Sequence, residues 1–277
     1  MKRSRELWLS GLIALLALPV HLAGLLAPSI YRDPAVVLPQ NLATDVVTLC
    51  VAIPLLAAAG VLSWRGSLPG RVLWLGALAF LVYDYGMYAL AVRWNPLFLV
   101  YVALFGLSLF TLIVGLAGTH ARRMRATFFL GAPVRAVAAY LIVIAVIAGA
   151  MWLSEEIGAL LSGTTPASVT EFETPTNSVH VFDLGVVLPA MVVAAVMLLR
   201  GHAWGYVLAP MLLVKATTIG LWVAAMIWFS AREGFAVAPA YTAFFLGFAV
   251  VGAALSWRFL TPRNAGAPDL RVAPAPR

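Results

Sequence analysis

Hydrophobic residues fall into eight long runs with short polar punctuation between them: approximately 7 to 27, 45 to 63, 72 to 92, 97 to 118, 135 to 153, 179 to 199, 204 to 229 and 239 to 260. Each run has roughly the 18 to 25 apolar residues that a helix needs to cross about 30 Å of hydrocarbon. Backbone groups in lipid must be bonded within the segment, and no ten-residue alternating stretches suggest a barrel, so the runs predict helices. The fold class predicted is therefore all-α, a polytopic membrane protein of eight transmembrane helices. The first run also fits a cleavable signal peptide, whose removal would leave seven helices.

Arginine placement orients the bundle. With the N-terminus inside, the inner segments hold Lys2, Arg3, Arg5, Arg65, Arg71, Arg122, Arg123, Arg125, Arg135, Arg200, Arg258, Arg263, Arg271 and Arg277. Outside would remain Arg32, Arg93 and Arg232. The excess of basic residues in short inner loops predicts both termini in the cytoplasm, and the cell (inner) membrane as the location. Arginine usage over lysine, with abundant alanine, fits a bacterial source by association.

The two halves resemble each other at an offset of 135 residues. Pro54, Arg65, Gly66, Gly70, Val72 and Leu73 fall on Pro189, Arg200, Gly201, Gly205, Val207 and Leu208. This predicts two parallel four-helix repeats, residues 1–134 and 135–260, followed by a disordered cytoplasmic tail at 261–277. The alternative is that proline, glycine and arginine simply punctuate short inner turns. At the same offset His21 falls on Glu156 and Asp45 on His180.

Composition fits the membrane assignment: 63% hydrophobic and 10% charged, against about a quarter charged in soluble domains. The net charge of +7 is dispersed over loops without an aromatic-interleaved basic patch, so no nucleic-acid partner is expected. The single cysteine, Cys50, cannot form an intramolecular disulfide.

Candidate chemistry centres on Lys215, one of only two lysines and placed inside the seventh run. A lysine at the bilayer centre costs roughly 3 kcal/mol, so a partner or water access is expected. Helix rise puts Asp84 at a compatible height, and Asp183 is the competing partner. Tyr88 shares the face of Asp84, and Thr218 and Trp222 continue the face of Lys215. His180 lies three residues before Asp183, on its face, and His21 sits in the outer third of the first run. These eight residues predict a substrate-binding pocket open to the outer face, with Lys215 at its floor. An Asp84–Lys215 pair that only locks two helices is the plainer alternative.

Of the four histidines only His21 and His180 could share that pocket, too few for haem or copper, so no cofactor, metal or catalytic residue is assigned. The Glu155-Glu156 pair is similar to that of prenyl endopeptidases. Leu160 stands where that pattern has arginine, and Thr176 where it has an aromatic residue, so the resemblance fails. The stretch Ser154 to Ser178 is expected to be a solvated acidic loop, with Ile157 to Leu161 lying on the membrane surface. Prolines 19, 54, 189 and 210 are expected to kink their helices.

The function these features predict is a carrier for a small-molecule or lipid-like substrate, coupled to protons in one form. The alternatives are a membrane-embedded sensor or assembly partner and an intramembrane enzyme acting on lipid or quinone. The partners expected are the lipid bilayer, a small amphiphilic or anionic ligand, and in the second reading another membrane protein.

Overall fold

The computed structural model describes residues 2–237 and 239–261, and among these it is helical with no strand. Eight helices are long and apolar enough to cross a membrane: α1 Glu6–Leu26, α2 Leu38–Trp64, α3 Leu68–Leu90, α4 Phe98–Ala117, α5 Val134–Ser162, α6 Ser178–Leu199, α7 Gly205–Arg232 and α8 Ala240–Leu260. The chain is a multi-pass membrane protein. The tail predicted to be disordered lies outside the described residues.

Two boundaries differ from the sequence reading. α2 begins at Leu38, two turns before the second apolar run, because Pro39 suits a helix start and Asn41, Thr44 and Asp45 face the interior where they find partners. α5 continues to Ser162, ending on Gly163 in the left-handed conformation (φ 65°). Ile157 to Leu161 is thus part of a crossing helix, and the acidic loop after it contains a further short helix, Ala167–Phe172.

α3 and α7 form the centre of the bundle. Their spans are 78% and 72% buried, against 28–44% for the other six, so the others shield them from lipid. The two pack closely through Gly76, where an added Cβ would come within 2.5 Å of Val214. The remaining helices flank them: α2 and α4 pack on α3, with α1 against α2 and α4, while α5, α6, α8 and the start of α2 pack on α7.

The prolines act in two ways. α1 and α7 run unbroken through Pro19 and Pro210. Ahead of Pro54 and Pro189 the helix instead widens into a π turn, Thr48–Ala52 and Asp183–Val187. Proline lacks an N–H and its ring crowds the preceding turn, so the ladder there shifts to i→i+5 bonds. These turns recur 135 residues apart, and so do the segments that follow, Ile53–Trp64 and Leu188–Leu199. Gly66 and Gly201 then turn the chain at positive φ. Gly70 and Gly205 press against the preceding helix, where an added Cβ would come within 2.4 Å of Leu62 and Leu198.

Opposite ends of the bundle are fastened differently. At the arginine-rich end, Arg71 donates to Glu6 (2.5 Å), the Gly115 carbonyl (2.6 Å) and Thr119 (3.1 Å), which joins α1, α3 and α4. At the other end the backbone N–H of Arg93 and the Asn41 amide donate to Asp33 at 2.8 and 3.1 Å. Burial nonetheless raises the Asp33 pKa above its ordinary value.

Candidate functional site

Polar residues inside the bundle form two clusters and one cavity. The first cluster joins α1, α2 and α3. His21 Nδ1 lies 2.8 Å from Asp45 Oδ1, and its Nε2 lies 3.2 Å from the Tyr85 hydroxyl. Tyr31 and Tyr88 also donate to Asp45, at 2.8 and 2.9 Å, and all five side chains are buried. Burial keeps the Tyr31 phenol well above its ordinary pKa, so it stays a donor. Gly24 leaves the room for this arrangement, since a Cβ there would come within 2.5 Å of the Tyr31 hydroxyl.

The second cluster lies between α5 and α6. His180 Nδ1 is 2.7 Å from Glu156 Oε1, and the imidazole stacks on Trp152 with ring centroids 4.6 Å apart. Asn177 caps α6 by accepting from the N–H groups of Val179 and His180, which fixes the His180 backbone. His21–Asp45 and Glu156–His180 therefore occupy positions 135 residues apart with acid and base exchanged. His21 and His180 share no cavity, contrary to the sequence expectation. Among the described residues no group of three or more His, Cys, Asp or Glu could hold a metal ion.

The cavity, about 620 Å³, lies among α5, α6, α7 and α8. Its walls are mostly aliphatic and aromatic, including Ile147, Met151, Phe244 and Phe248. Lys215 and Asp183 supply charge within it, and Tyr83 and Trp152 supply aromatic surface beside them. The Tyr140 hydroxyl donates to the Phe248 carbonyl at 2.9 Å, joining α5 to α8. Residues of both helices that line the cavity beyond this contact, Ile147, Met151 and Phe244, are partly exposed. Gln40, Glu171 and Phe235 line it toward the face opposite the arginines.

Lys215 is buried and its Nζ has no hydrogen-bond partner. It stands 4.2 Å from the centroid of the Tyr83 ring, a cation–π contact that offsets only part of the cost of burying an ammonium. Asp183 Oδ2 accepts from the Trp152 indole at 3.0 Å. The Asp84–Lys215 pair considered from the sequence is not formed. Asp84 instead accepts from Thr48 of α2 at 3.0 Å and lines a separate cleft of about 110 Å³ with Tyr88, Thr44 and Asp33. Successive side chains on a helix point about 100° apart, so Asp84 faces α2 while Tyr83 faces Lys215.

The eight sequence-predicted residues thus separate. Lys215, Asp183 and Trp222 line the cavity; Asp84, Tyr88 and Trp222 line the cleft. Trp222 stands between the two and donates to Thr44 at 2.8 Å. His21 and His180 belong to the two clusters. Thr218 turns back on its own helix, donating to the Val214 carbonyl at 3.1 Å. The sequence reading missed Tyr83, Trp152 and the phenylalanines of α8, aromatic residues with no signal apart from their neighbours. Comparisons with protein-family models, with curated proteins and with solved structures find no match to this chain.

Proposed function

We propose that the protein is a carrier for a small amphiphile whose anionic or strongly accepting headgroup is held by Lys215 and whose apolar chain fills the cavity among α5, α6, α7 and α8. One observation carries this reading: a buried ammonium without a hydrogen-bond partner stands at a largely apolar cavity of drug-sized volume. A helix-locking role would require a partner acceptor on Nζ. Trp152, Tyr83 and Trp222 supply flat surface around the headgroup, and Asp183 would select against a second negative charge.

Carrier architecture is supported by the recurrence of π turn, proline, glycine turn and exchanged acid–base pair at one offset. We read these as tandem four-helix copies in parallel orientation, with the substrate held in the second copy and Tyr83 of the first completing its cavity. The arginine-rich face would be cytoplasmic and the protein would sit in the cell membrane.

The test is thermal stability of the purified protein with dodecanoate, dodecanol or dodecylamine. A ligand binding only the folded state stabilises it by about 2.7 kcal/mol at 100 times its Kd. Dodecanoate is expected to raise the Tm of the native protein more than dodecanol does, and to have no such effect on Lys215→Met. Proteoliposomes should take up dodecanoate with the native protein and fail to do so with the variant. Equal responses to all three amphiphiles in both proteins would sink the reading.

A further inference from the structure

Among the described residues one amine and one carboxyl group have a buried polar atom with no hydrogen-bond partner, Lys215 Nζ and Asp84 Oδ1, alongside the Tyr101 phenol and three alcohols. The carboxyl group is not part of the cavity and needs its own account. Asp84 is fully buried, and its other oxygen accepts a single bond, from Thr48.

Its neighbours on every side can be named. α1 contributes His21; α2 contributes Asp45 with Thr48; α3 itself contributes Tyr85 and Tyr88. α4 contributes Tyr101, whose ring packs on Tyr88 at 5.0 Å. Asp33 stands at the far end of the cleft, and the start of α6 adds only the neutral Asn177 and Ser178. α7 presents Trp222, with Lys215 on the cavity side beside Tyr83.

The nearest basic group, His21, is committed to Asp45. Asp45 receives donors from His21, Tyr31 and Tyr88, which satisfy both of its oxygens. Asp84 has one donor and no cation of its own, yet it opens on a cleft whose polar lining, Tyr88, Thr44, Asn41 and Asp33, leads away from the arginine-rich face. Of these two acidic groups, Asp84 has the oxygen left without a partner, where a proton can bind.

We propose that Asp84 is a proton-binding site, loaded and unloaded through this cleft from the face opposite the arginines. The ligand is the proton itself, and the site stands on geometry separate from the amphiphile cavity. Trp222 and Met226 line both spaces, so a ligand that moves that wall changes access to the proton site.

Infrared difference spectroscopy of the full-length protein in lipid, with buffer exchanged between acid and alkaline pH, reads the site directly. The carbonyl stretch of a protonated carboxyl group should appear on acidification. It should be lost in Asp84→Asn and kept in Asp33→Asn and Asp183→Asn. Thr48→Val removes the only donor to the ionised form and should raise proton affinity about tenfold, moving the midpoint of that band up by about one pH unit. This second variant decides the matter if Asp84→Asn does not fold. A band unchanged by Asp84→Asn, or a midpoint unmoved by Thr48→Val, would overturn the assignment.

Discussion

Replacing Lys215 with methionine should make the protein more stable, and the magnitude follows from its surroundings. A lysine near the bilayer centre costs roughly 3 kcal/mol. Its Nζ has no hydrogen-bond partner, and the Tyr83 ring at 4.2 Å returns about 0.5 to 2 kcal/mol. Methionine keeps the unbranched shape and fills the same volume against the Tyr83 ring. The net gain expected is about 1 to 2.5 kcal/mol, or several degrees in Tm. Thermal unfolding in detergent, followed by tryptophan fluorescence, measures it. The opposite sign would refute the reasoning, because breaking a structural buried pair costs about 3 to 5 kcal/mol. Asp183→Asn identifies such a pair: if Lys215→Met destabilises and the double variant recovers, Lys215 is a strut of the fold and not a ligand anchor.

Other consequences concern the polar interior and its surface. Gly24→Ala drives a Cβ into the Tyr31 and Asp45 side chains and should cost more than about 2 kcal/mol, whereas Gly11→Ala, with nothing within 4 Å, should be neutral or slightly stabilising. Asp45→Asn cannot serve its three donors and should cost about 3 kcal/mol, measurable as a lower Tm and loss of folded yield. Asp33 lies outside the spans, and burial holds its folded pKa above the unfolded value. Its contribution to stability is therefore complete below about pH 4 and is lost as pH rises through the folded value. As pH rises from about 4 through the folded value, the native protein should lose more Tm than Asp33→Asn; an identical pH profile would contradict the burial assigned to Asp33.

Which of these features could be seen in the sequence depends on the geometry each one needs. Crossing helices require only length and hydrophobicity, so all eight spans and the isolation of Lys215 could be read directly. Depth along a helix follows from a constant rise, which gave Asp84 and Lys215 similar heights. Azimuth does not follow, because it depends on how neighbouring helices pack. One residue step separates Tyr83, which meets Lys215, from Asp84, which meets Thr48. The same limit explains why His21 and His180, both near one end of the bundle, belong to different clusters. The prolines marked where helices would be perturbed without showing that Pro54 and Pro189 widen a turn while Pro19 and Pro210 leave theirs intact. Asp45 looked like a span boundary because its upstream residues are polar. Those residues are buried by partners from other helices, a tertiary effect invisible to a hydropathy window.

The central claim is that an anionic amphiphile occupies the α5–α8 cavity with its headgroup at Lys215, and photolabelling tests it most directly. A dodecanoate analogue with a diazirine near the chain end, irradiated with the protein in lipid and mapped by peptide mass spectrometry, should label Ile144 to Met151 of α5 and Phe244 to Phe248 of α8. Excess dodecanoate should block that labelling, dodecanol should block it poorly, and Lys215→Met should abolish it. Labelling confined to the outward faces of other helices, such as Leu15 or Phe110, or labelling indifferent to Lys215, would contradict the claim.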